Sequence, residues 1–162
     1  MSVTTNAANG AVIYSPDVLT VSNVLAADQT VTNSATLVSV PTLKLPVGKG
    51  QRILFRFNVF YSTTADGDLK YRVDVPASPT LYRLTSEANP PAATALVTAN
   101  ITAEADATAV AASGTEGFLR LTGFLNNGST AGDIQFQFAQ NTATASESAI
   151  IRAGSFLEYR IF

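Results

Sequence analysis

Apolar and polar residues alternate with a period of two again and again along this chain, a pattern that sends successive side chains to opposite faces of a β-strand and fits no helix. The clearest stretch is Gln51–Ser62, where Ile53, Phe55, Phe57, Val59 and Tyr61 fall on one face and Arg52, Arg56 and Asn58 on the other. After a Gly-containing turn over Thr63–Asp68 the alternation resumes at Leu69, Tyr71, Val73 and Val75, so the two runs predict an antiparallel hairpin. Gly117–Leu125 and Asp133–Gln140 flank a turn at Asn126–Gly132, with Ile134, Phe136 and Phe138 pointing inward, and Gly154–Phe162 reads as a further alternating strand. Phe60, Phe118 and Phe124 fall out of phase with the core faces, so either both faces of their strands are buried or these rings meet another subunit.

The remaining signals are shorter. Thr36–Val40 and Thr42–Leu45 read as two strands around Pro41, Pro46–Gly50 as a turn, and Thr80–Thr85 as a strand behind the break at Pro76 and Pro79. Between Ala92 and Ser113 an Ala-rich composition competes with Thr, Val and Ile, and strands are expected at 95–102 and 108–112. Eight to ten strands joined by Gly, Pro, Asn and Ser turns, with no amphipathic helix between them, predict an all-β fold: an antiparallel β-sandwich of jelly-roll type over residues 31–162. Residues 1–30 hold no Lys or Arg and read as an extended N-terminal arm. Its apolar clusters, Val12, Ile13 and Tyr14 and then Val18 and Leu19, are candidate contacts to neighbouring subunits, the alternative being a disordered leader.

Composition bears on function mostly by exclusion. The chain has no histidine and no cysteine, so the commonest general base, the thiol nucleophile, thiolate zinc sites and disulfides are all missing. Only 14% of residues are charged, against about 25% in an ordinary domain, which leaves a surface of small neutral side chains suited to being covered by copies or by a larger body. The formal net charge is −2 and the ten Lys and Arg residues are scattered along the sequence, a pattern that predicts no nucleic-acid partner. No run approaches the roughly 20 apolar residues of a membrane span, and the first residues lack a basic and apolar leader, so the expectation is assembly in the cytoplasm with no membrane partner.

Specific chemistry finds little support. Asp66 and Asp68 at a hairpin tip would bind a cation only with further oxygens, and turn propensity already explains both. Glu104 with Asp106, and Glu147 with Glu158, lack the spacing of an acid–base pair across a glycosidic bond. Pro46–Gly50 lacks the spacing of a phosphate loop and no helix follows it. Asn100–Thr102 and Asn127–Ser129 match the glycosylation sequon, a chance match in a chain without an export signal. No catalytic residue, cofactor or metal is therefore expected.

Gly117-Phe-Leu-Arg-Leu-Thr-Gly123, Gly132-Asp-Ile-Gln-Phe-Gln-Phe-Ala-Gln-Asn141 and Ala153-Gly-Ser-Phe-Leu157, with Arg56-Phe-Asn-Val-Phe-Tyr61 and Pro76-Ala-Ser-Pro79, resemble small all-β virion structural proteins of tailed bacteriophages over roughly residues 35–162. The resemblance implies a non-enzymatic capsid decoration (cement) protein, a homotrimer bound to the major capsid protein on the virion surface. The alternative is a head- or tail-fibre domain that binds a receptor or glycan. None of these motifs contains a reactive residue or identifies a capsid-binding surface.

Overall fold

The computed structural model describes residues 3–5, 12–14, 20–64, 68–89, 97–102, 108–110 and 116–162. Among them the regular secondary structure is entirely β-strand, with no helix. The strands are β1 (Val3–Thr5), β2 (Val12–Tyr14), β3 (Thr20–Val24), β4 (Gln29–Thr32), β5 (Val38–Val47), β6 (Arg52–Thr63) and β7 (Leu69–Asp74). They continue with β8 (Leu81–Asn89), β9 (Val97–Ile101), β10 (Thr108–Val110), β11 (Gly117–Asn126), β12 (Gly132–Gln140), β13 (Ser148–Ile151) and β14 (Phe156–Ile161).

Eight of these strands nest like the two halves of a folded ribbon. β5 pairs with β12, β6 with β11, β7 with β10 and β8 with β9, each antiparallel. Two lateral ladders, β7·β12 and β8·β11, then fuse the ribbon into a sheet of order β10-β7-β12-β5 and a larger one running β9-β8-β11-β6. This first-with-last nesting is a jelly roll. The larger sheet continues past β6: β14 pairs with its first half and β13 with its end, and β3 and β4 pair in turn with β14 and β13.

The alternation in the sequence is the alternation of burial. Along β6 the fully buried Ile53, Phe55, Phe57, Val59 and Tyr61 face the second sheet, and Val40, Leu43, Tyr71, Ile134, Phe136 and Phe138 answer from it. Phe57 meets Phe136 across the interlayer gap at 5.9 Å between ring centroids, and Tyr71 stacks on Phe136 at 6.4 Å. Burying such a phenylalanine side chain contributes about 1.5–3 kcal/mol.

The hairpin expected of Gln51–Ser62 and Leu69–Val75 does not form: the two strands are consecutive but belong to different sheets, β6 pairing with β11, β13 and β14 and β7 with β10 and β12, because the chain crosses the sandwich after Thr63 instead of turning back within one sheet. Several boundaries also differ from expectation for identifiable reasons. The two short strands expected around Pro41 are one strand, β5, because it is an edge strand whose outer backbone needs no donor, and the register slips beside Pro41 between Ser39 and Lys44. The closing strand expected over Gly154–Phe162 is β14, and before it stands an unexpected strand, β13, set off by a jog where Gly154 takes φ +87° and buried Ser155 accepts the Phe60 amide hydrogen bond on Oγ at 3.0 Å. Residues 20–32, across the end of the expected arm, lie in the larger sheet. There β3 and β4 satisfy the edges of β14 and β13, and Asp28 clasps the jog through Arg152 at 2.6 Å and the Ala153 amide at 2.8 Å.

Candidate functional site: an arginine and phenylalanine face

The outward side chains of the larger sheet form a grid fixed by strand register. Phe118 sits opposite Phe60, Phe124 opposite Leu54 on one side and Arg83 on the other, Arg120 opposite Glu87, and Glu158 opposite Arg56. Arg52 and Arg160 occupy the same outward phase two residues from Leu54 and Glu158. Five of the chain's seven arginines thus lie on one face with two glutamates. The face carries a formal surplus of three positive charges on a chain of net −2, which leaves −5 for everything else.

The three out-of-phase phenylalanines are on this face and half-buried. Phe60 and Phe118 pack at 5.4 Å and Phe124 meets Phe162 at 6.4 Å. Arg120 lies over the Phe118 ring at 5.4 Å and Arg160 over the Phe162 ring at 4.8 Å, cation–π arrangements that hold the planar guanidinium in place. Glu158 gathers Arg56 at 3.4 Å and the Asn58 amide at 3.3 Å, while Arg120 pairs with Glu87 at 3.7 Å. Arg52 and Arg83 are exposed; Arg83 donates to the Tyr82 carbonyl at 2.9 Å, and among the described residues neither arginine has a carboxylate within ion-pair distance.

The outer face of the smaller sheet is different. Lys44 pairs with Asp133 at 3.4 Å, Arg72 with Asp74 at 3.6 Å and with Gln137 through two hydrogen bonds, and Lys70 donates to the Ala35 carbonyl at 2.7 Å. Two of these three cations are paired with carboxylates, and no aromatic ring stands among them in the described residues.

The other candidate residues separate. Val12, Ile13 and Tyr14 form β2, which pairs antiparallel with β1; Val18 and Leu19 lie outside the described residues, as do Asp66, Glu104 and Asp106. Asp68 accepts a hydrogen bond from the Asn141 amide through its backbone carbonyl, as a turn residue does. Glu147 hydrogen-bonds Thr64 in the loop after β12, whereas Glu158 is on the open sheet face, so these two acids do not form a pair. No group of three or more acidic side chains able to hold a metal occurs among the described residues.

The turn expected over Pro46–Gly50 is confined to Gly48–Gly50, since Pro46 and Val47 still pair with Asp133 and Gly132 as the end of β5. Gly50 has φ +65°, and Asn127, 2% exposed, ties the turn to its neighbour by donating to the carbonyls of Gly48 at 2.8 Å and Thr130 at 2.9 Å. With its amide nitrogen engaged and buried, Asn127 is no sugar acceptor.

The positive surplus was hidden in the sequence because its members come from four strands. Only Arg52 and Arg56 are close in the chain, at the i, i+4 spacing that one strand face provides.

Comparison with known proteins yields little to set beside this geometry. No protein-family model matches the chain, and no curated protein does. Among solved structures, a chain in the "Structure of infectious bursal disease virus Gx strain" aligns with 99% of this chain at 11% identity and a TM-score of 0.21. The aligned region is 42% of that longer chain.

Proposed function

We propose that the chain is a non-enzymatic structural protein of a virion, a decoration protein that trimerises on a tailed-phage capsid and stabilises the head lattice. The observation that carries this reading is the arginine and phenylalanine face: one side of the jelly roll on which Arg52 and Arg83 have no carboxylate in reach among the described residues and half-buried rings stand beside them, a surface that suits coverage by another protein better than exposure to water. The segments that resemble phage virion proteins supply β6, β11, β12 and β14, the strands that hold the core and this face together. A neutral exterior supports the same reading, because small uncharged side chains lose little entropy when covered. Many such contacts, each weak, add across a lattice and oppose separation of shell subunits without a chemical step.

Quantitative mass spectrometry of purified virions tests this. The expected result is a copy number comparable with that of the shell protein, together with a trimeric mass for the isolated chain in light scattering. A handful of copies confined to the tail, with binding to host glycans, would establish the fibre alternative instead.

A further inference from the structure

We propose that the outer face of the larger sheet is the docking surface for a partner protein that presents carboxylates among apolar side chains. The proposal rests on the virion reading and states the chemistry that the shell must offer at the contact.

Composition points to protein. Every cation on this face is arginine, although the chain has three lysines, at 44, 49 and 70, and protein interfaces are enriched in arginine and aromatic residues and depleted in lysine. The two glutamates neutralise the middle of the face through Arg56 and Arg120, whereas Arg52 and Arg83 flank Phe124 with no carboxylate in reach among the described residues. A partner that supplies acidic groups around an apolar centre completes that end, and the arginine fork accepts a carboxylate through two parallel hydrogen bonds.

Two other occupants fit less well. A second copy docked face to face about a twofold axis would set one positive surplus against another, which is repulsive. A single-stranded nucleic acid needs open ring faces for stacking, but guanidinium groups lie over Phe118 and Phe162, and Glu87 and Glu158 would confront its phosphates. The size is also suitable. Four strands about 4.8 Å apart, with outward residues every roughly 6.7 Å along five rows, cover about 400 Å2 in plan. Side-chain relief brings this towards the roughly 800 Å2 that each partner contributes to a standard protein interface.

The test compares the wild-type chain with the double variant Arg52→Glu/Arg83→Glu, both positions being exposed, after circular dichroism has shown the same fold and melting temperature. Binding is measured to purified undecorated shells and, separately, to poly-L-glutamate and to oligothymidylate at low and moderate salt. The proposal expects wild type to bind shells and poly-L-glutamate, and the variant to lose at least about tenfold on both. If wild type and variant occupy shells equally, the docking surface is wrong while the virion reading stands. If wild type ignores shells yet binds poly-L-glutamate through these arginines, the virion reading falls and the surface stands. Tighter arginine-dependent binding to oligothymidylate than to poly-L-glutamate, or dissociation of a self-assembled oligomer by the variant, would overturn the proposal in favour of nucleic acid or a second copy.

Discussion

Gly123 lies directly opposite Phe55 across the β6–β11 ladder, and the space where its side chain would stand is filled by the Phe55 ring. A methyl group there would collide with three ring atoms of a side chain that is fully buried and cannot swing into solvent. Gly123→Ala is therefore expected to cost about 1–3 kcal/mol, seen as a lower urea midpoint at unchanged slope. Adding Phe55→Leu should recover part of the loss, and simple additivity of the two changes would show that the pair is not coupled.

Tyr61 is fully buried and its hydroxyl has no hydrogen-bond partner among the described residues. Removing an unsatisfied buried polar atom relieves its desolvation cost, so Tyr61→Phe should leave stability at pH 7 unchanged or raise it by up to about 1 kcal/mol. Burial first, and then the nearby Tyr71, push the Tyr61 phenol up from 10.0 to about 12. Because this folded-state value is raised, the associated stability is complete below about pH 10 and is lost as pH rises towards 12. Chemical denaturation at pH 7 and pH 11 should show a smaller alkaline decline for Tyr61→Phe than for wild type, the remainder coming from Tyr71, whose phenol burial also raises.

Asn127 holds two turns at one end of the sandwich through the carbonyls of Gly48 and Thr130, and its side-chain oxygen accepts from the Gly128 amide at 3.0 Å. Asn127→Ala should cost about 1–3 kcal/mol. Asn127→Asp sets an ionised carboxylate against carbonyl oxygens, so it should be worse at pH 7 than at pH 4. Equal melting temperatures of the aspartate variant at the two values would refute this account of the turn.

Asp28 has its carboxyl held below the ordinary range, first by the Ala153 amide hydrogen bond and then by Arg152. A depressed folded-state value means that the contribution is present above the unfolded value near 3.8 and is lost as pH falls through the folded one. Asp28→Asn should remove this part of the acid sensitivity. Hydrogen exchange should localise the effect to the Leu25 and Gly154 amides, which bond across the clasp to Ser155 and Leu25.

The core was legible because strand alternation is a local signal: every inward residue expected between Ile53 and Tyr61, and at Ile134, Phe136 and Phe138, is buried. The two strands expected in the Ala-rich stretch, at 95–102 and 108–112, are present as β9 and β10 where the described residues cover them. Pro41 misled because a proline signals a break in isolation, and only the sheet shows that its strand is an edge where the missing N–H is harmless. The arginine face was illegible for the opposite reason. Its residues lie between 52 and 160 in the sequence and become neighbours only through ladders that no local pattern specifies.

Nesting also sets the order in which the chain can organise itself. The innermost pair, β8 with β9, closes a short connection, whereas β5 with β12 brings together segments separated by most of the domain, and loop entropy makes each outward ladder harder to start before the inner ones exist. Such long-range pairing puts folding in the millisecond-to-second range typical of sandwiches, far slower than helical bundles of similar size. During that interval the unzipped outer strands display hydrophobic edges, so a partner waiting to be covered would do best to meet the chain only after the last ladder has closed.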